Sequence, residues 1–348
     1  MRTYLKRALA LVVVATCVLT SSIAAFARTT AQAHNDVLVF LAANVTAPTI
    51  NAVGGEWVVF ALARGGATVP GSYYDDYINH VRQTLQNHNG NLPGPTTEFA
   101  RVVIALSALG IDVTNMDGHN LLLPLADFYN VTAQGINGAT FALIAFDTRN
   151  WTIPVVANTT AQVTRERLVE FILGREIPGG GFALGAATAP AADVTAMVLQ
   201  ALAPYRSQTA VSAAIDRALA VLSGLALENA ESAAQVIVAL TALGIAPAPA
   251  QLRALLDLQQ PNGSFFHVAT GTGNTQMATE QAAYALVAYE RFVHGQAALY
   301  NMSDVTPREL PPLQPPEPPG TGTSPWWYGL SVWLQWLLRI VFFGWIWM

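Results

Sequence analysis

Five carboxylates stand where small-residue-rich apolar runs begin: Glu56, Glu98, Asp193, Glu231 and Glu280. A carboxylate at such a place complements the positive end of a helix and satisfies its free N–H groups. The same group, paired and buried, could instead donate a proton. Asp193 holds both readings open, although Ala191, Ala192 and Val194 supply no second carboxyl beside it. Tyr73-Tyr74-Asp75-Asp76-Tyr77 sets two adjacent carboxylates among three aromatics. Such a pair could bind a cation or a magnesium-linked pyrophosphate, or simply begin a solvated helix. His80, His88, His119, His267 and His294 are scattered and read as turn or surface residues. The one cysteine, Cys17, lies in an N-terminal apolar run. The body of the chain therefore has no thiolate for zinc or for nucleophilic attack, and no metal site is expected. Gly-x-Ser-x-Gly and Gly-x-x-x-x-Gly-Lys are both absent, which leaves hydrolase-elbow and P-loop chemistry without support.

The elements that must position these residues follow from the spacing of apolar positions, which is helical rather than alternating. A unit recurs in which a Gly-, Pro- or Asn-rich turn leads into an acidic or amide residue and then an alanine-rich helix. Its first-turn residues are Gly55, Thr97, Asn137, Asp193, Glu231 and Thr279, spaced 38 to 56 residues apart. That interval fits one helical hairpin per unit. Second helices are expected at about 75–87, 119–129, 161–174, 209–226 and 249–260, with an opening helix at 34–43. Alanine at repeated positions lets helices approach closely, and so few charges suit an inner packed layer.

Two further motifs carry a family resemblance. Gln259-Gln260-Pro261-Asn262-Gly263-Ser264-Phe265 matches a Gln-x-x-x-Gly-x-Trp/Phe turn, with a degenerate relative in Gly174 to Phe182. The helix start Met277-Ala278-Thr279-Glu280-Gln281-Ala282 follows it. Together with the tandem array, these resemble the prenyltransferase and squalene-cyclase repeat superfamily, closest to its transcobalamin-like branch, over residues 34–300. The resemblance implies an all-α chain folded as an α/α toroid of about six helical hairpins around a cavity. It also implies a small apolar ligand there, with a corrinoid as one candidate and no other cofactor. In cyclase relatives an Asp-x-Asp-Asp-Thr-Ala run holds the proton donor. Asp193 occupies the matching place, but Ala191 and Val194 replace its acidic neighbours. Trp57, Tyr73, Glu98, Asp193, Phe266 and Glu280 are the candidate cavity residues.

The ends of the chain suggest a compartment. Arg2, Lys6 and Arg7, an apolar run and Ala25-Phe26-Ala27 read as a signal peptide over residues 1–27. Lys6 is the sole lysine, and with 17 basic residues against 22 acidic and no basic cluster, a nucleic-acid partner is excluded. The expected toroid domain covers 28–305. Residues 306–325 read as a proline-rich spacer, with eight prolines between 307 and 325. Residues 326–348 hold six of the eight tryptophans and read as a hydrophobic membrane-associated helix, spanning or interfacial, with Ser331, Gln335 and Arg339 on one stripe. The sequence therefore suggests an exported, extracytoplasmic, membrane-associated binding or structural protein of the cell envelope. It would meet a small ligand or an envelope protein. A terpenoid- or polyprenoid-processing enzyme and a protein-binding scaffold are the alternatives.

Overall fold

The computed structural model describes residues 29–50, 53–157 and 161–312. Among them are twelve α-helices: α1 (Thr30–Asn44), α2 (Glu56–Arg64), α3 (Tyr73–Asn87), α4 (Thr96–Ala108), α5 (Phe128–Thr132), α6 (Gly135–Asp147), α7 (Arg165–Leu173), α8 (Ala192–Leu202), α9 (Thr209–Leu222), α10 (Ala230–Ala242), α11 (Pro249–Leu256) and α12 (Thr275–Val293). Local chemistry fixes several of their starts. Thr29 Oγ1 accepts from the Gln32 N–H and Gln32 Oε1 accepts from the Thr29 N–H, a reciprocal cap for α1. Asn229 and Asn274 cap α10 and α12 by accepting from the N–H groups of Ser232 and Met277.

The apolar helices pack mainly on one another. α10 lies against α8, α11 and α12; α12 lies also against α1 and α2; α4 packs on α2 and α6, and α6 on α8. Buried Ala61, Ala105, Ala139, Ala196, Ala234 and Ala283 stand on α2, α4, α6, α8, α10 and α12, where a small side chain permits close approach.

The recurrent turns have a common fastening. In the turn after α11, Gly263 has φ +96°, and a Cβ there would stand 2.4 Å from the Asp36 carbonyl of α1, so only glycine fits. Gln259 Nε2 donates to the Ala33 carbonyl at 3.0 Å, which ties the same turn to α1. The buried Phe265 donates its N–H to Thr279 Oγ1 of α12 at 2.9 Å. Phe182 repeats this bond with Thr195 of α8 at 2.9 Å. A threonine in the first turns of the next helix thus holds each phenylalanine-bearing turn in place.

Past α12 the chain runs back across the bundle. Arg64 donates to the carbonyls of Ala298, Leu299 and Asn301 and pairs with Asp304 at 2.8 Å, and Arg291 pairs with the same carboxylate. The Met302 N–H reaches the Thr148 carbonyl, the Arg308 N–H reaches Gly110, and Arg82 reaches the Pro311 carbonyl at 2.6 Å. Residues 298–312 therefore form a strap fastened to α2, α3, α12 and the ends of α4 and α6.

Three expectations are corrected. Among the described residues the architecture is an all-α bundle of twelve helices and not the expected α/α toroid of about six helical hairpins. The hairpin pattern breaks at 109–127, where a helix was expected over 119–129. There Asp112, Asn115 and Asn120 accept from nearby backbone N–H groups and hold turns, leaving only the five-residue α5. Among the described residues no helix is long and apolar enough to cross a membrane. The longest, α12, carries Glu280, Glu290 and Arg291 within its 19 residues. The expected transmembrane helix, membrane partner and membrane-associated extracytoplasmic localisation are withdrawn on that finding. The signal peptide at 1–27 and the tryptophan-rich segment at 326–348, on which they rested, lie outside the described residues.

Candidate functional site

The first halves of α2, α4, α6, α8, α10 and α12 enclose a pocket of about 180 Å3. Its apolar wall is Trp57, Phe141 and Tyr284, from three different helices, with Met197 and Met277. The rings of Phe141 and Tyr284 lie 5.7 and 5.6 Å from that of Trp57, each tilted by about half a right angle, so the three form one concave aromatic face. The polar lining is Arg101, Asn137, Asp193, Asn229, Glu231, Gln235, His267 and Gln281.

The carboxylates in and behind this pocket are held in unlike ways. Glu231 Oε2 lies 2.7 Å from His267 Nδ1. Burial raises the Glu231 carboxyl, the Asp193 charge adds to the rise, and the histidine opposes it. Burial likewise raises Asp193, whose carboxylate is offset by local backbone N–H groups. Behind the aromatic face, Glu280 is wholly buried and accepts from the Gly54 N–H at 2.6 Å and from Gln276 Nε2 at 2.8 Å. Burial still pushes it up to about 7. Glu56 is also wholly buried, and neither of its oxygens has a hydrogen-bond partner. Burial, with the charges of Glu98 and Glu280, pushes it up to about 8 against the pull of Arg101, whose Nε is 3.9 Å away. Arg101 is paired instead with Glu98, one turn before it on α4.

The pocket has a polar floor. Gln200 Nε2 donates to the Gln235 carbonyl and to Gln235 Oε1 at 3.0 and 2.8 Å. Gln235 Nε2 donates to Gln281 Oε1 and the Tyr284 hydroxyl at 2.9 and 2.5 Å. Beneath this chain, Phe60 stacks on Tyr300 at 5.2 Å. On its far side lies a second, more open pocket of about 490 Å3, lined by the second halves of α6, α8 and α10 and by the strap residues Ala298, Tyr300 and Asn301. There Asp147 is already bonded to Arg165 and Tyr205 at 2.7 and 2.8 Å. The larger pocket is thus self-satisfied, whereas the smaller one presents carboxylate and amide groups to its interior.

Of the residues singled out in the sequence, Trp57 and Asp193 line the smaller pocket. Tyr73 and Glu280 are buried outside its lining, Glu98 is taken up by Arg101, and Phe266 packs by Gly271 in the loop before α12. Asp75 pairs with Arg308 of the strap and Asp76 is exposed, so this pair does not converge on the pocket. Sequence reasoning passed over Arg101, Asn137, Gln235, Tyr284 and the Glu231–His267 pair. Glu231 carried the signal of an acidic helix start, but His267 comes from a loop 36 residues away and had none. Among the described residues no three metal-ligating side chains converge. No protein-family profile, curated protein or solved structure matches the chain.

Proposed function

We propose that the protein binds a small molecule in the pocket between the first halves of the six apolar helices. The observation that carries this reading is the contrast within one enclosed space. Part of the lining is aromatic, and the rest includes Asp193, Asn137, Asn229 and Glu231. An apolar body held by a few placed polar groups is the usual form of a small-ligand site. The volume of about 180 Å3 lies below the roughly 300–1,000 Å3 of sites for drug-sized molecules. This argues against a corrinoid or a polyprenoid chain, and the Gln200–Gln235–Tyr284 floor closes the route to a longer one.

The test is mass spectrometry of small molecules released from protein purified gently from its native source, beside a Met197→Trp variant that fills the pocket. The expected result is one molecule per wild-type chain and none in a variant that still unfolds cooperatively. Retention of the same molecule by the filled variant would place the ligand elsewhere and overturn the proposal.

A further inference from the structure

The lining carries information about charge as well as shape. Arg101 is its sole arginine, and that guanidinium is paired with Glu98 and stands 3.9 Å from Glu56. Among the described residues no cationic side chain pairs with Asp193, which has backbone N–H partners alone, and the one side chain that pairs with Glu231 is His267, at Oε2. Asn137 Oδ1, also in the lining, is buried from solvent and has no hydrogen-bond partner. Amide donors in the lining are partly spent: Gln235 Nε2 is divided between Gln281 and Tyr284. The lining therefore holds two carboxylates, Asp193 and Glu231, against one guanidinium that is already paired with Glu98, together with three aromatic rings.

We infer that the occupant is a small organic cation, a primary ammonium on an apolar body, with its charge held by Asp193 and its body against Trp57, Phe141 and Tyr284. The inference rests on the binding reading above and adds the ligand's charge to it. An ammonium supplies three donors in a compact space, which matches the carboxylate oxygens of Asp193 and Glu231 in the lining. It also gains from the electron-rich faces of the rings. A carboxylate ligand would meet Asp193, whose charge is offset only by backbone N–H groups. A neutral alcohol of the same shape would keep the aromatic contact and forgo the ion pair.

Titration calorimetry of the full chain with 2-phenylethylamine, 2-phenylethanol and phenylacetate separates these cases. The amine is expected to bind at least about tenfold more tightly than the alcohol, and phenylacetate most weakly of the three. Asp193→Asn should remove most of the amine's advantage while leaving the alcohol's affinity within about twofold, and Glu231→Gln should reduce the advantage in part. Trp57→Leu should weaken amine and alcohol together. Melting curves of each variant establish that it is folded. Equal binding of amine and alcohol, or an amine preference untouched by Asp193→Asn, overturns the cation inference and leaves the pocket as a binding site. Failure of all three probes at millimolar concentration overturns both.

Discussion

Replacing Glu56 by Gln tests whether this buried carboxyl carries a proton in the folded protein. Glu56 begins α2, has no exposed surface, and lacks a hydrogen-bond partner at either oxygen. Burial, helped by Glu98 and Glu280, lifts it from 4.5 to about 8. Between those values the unfolded chain has released the proton and the folded chain still holds it. The folded state then binds more protons, so stability is greatest below pH 4.5, falls as pH rises, and the loss is complete above about pH 8. At about 1.4 kcal/mol per unit, the swing is of the order of 5 kcal/mol. Gln keeps the shape and cannot ionise. Urea unfolding at intervals from pH 4.5 to pH 9 should therefore show the variant gaining on the wild type steadily, by that order of magnitude across the range. Glu280, raised to about 7, titrates in both proteins, so its own pH dependence is largely shared and its charge on Glu56 is the part that differs. The opposing account is that Glu56 is ionised and serves Arg101. In that case Glu56→Gln strands a buried guanidinium, and the variant is less stable at pH 8 by several kcal/mol. That outcome would refute the reasoning.

Three other perturbations probe the frame that holds the pocket. Gln235→Leu leaves Gln200, Gln281 and the Tyr284 hydroxyl without their shared partner, and chemical denaturation should show a loss of about 2–3 kcal/mol. Gly138→Ala would bring a Cβ to 2.0 Å from the Val131 carbonyl, where α5 meets α6, so the melting curve should register about 1–3 kcal/mol of overpacking. Asp304→Asn removes the charge shared by Arg64 and Arg291; stability should fall by about 2 kcal/mol, and limited proteolysis should cut first within 295–312.

The helical class and most element positions were legible because burial sets a period along the chain. The expected 75–87, 209–226 and 249–260 became Tyr73–Asn87, Thr209–Leu222 and Pro249–Leu256, with differences confined to ends. The stretch 119–129 misled because Leu121, Leu122 and Leu125 are buried as a helix face would be. Their burial is achieved instead by turns that short polar side chains hold, an arrangement with no period to read. Asp193 and Trp57 could be singled out as residues at a helix start. The aromatic wall, the glutamine floor and the Glu231–His267 contact join residues 35 to 227 positions apart, as does the bond from the Gly54 N–H to Glu280, at 226. Such pairings depend on which helix lies beside which, and spacing along one helix does not encode that.

The central claim is that the space bounded by Trp57, Phe141, Tyr284 and Asp193 is a binding site. A crystallographic soak with a mixed set of small aromatic amines, alcohols and acids tests it most directly. The account predicts density concentrated in this pocket, rings against Trp57 and an amine nitrogen within hydrogen-bond distance of Asp193. Fragments gathered in the larger pocket by Asp147 and Tyr300, with the smaller one closed by its own side chains, would contradict it.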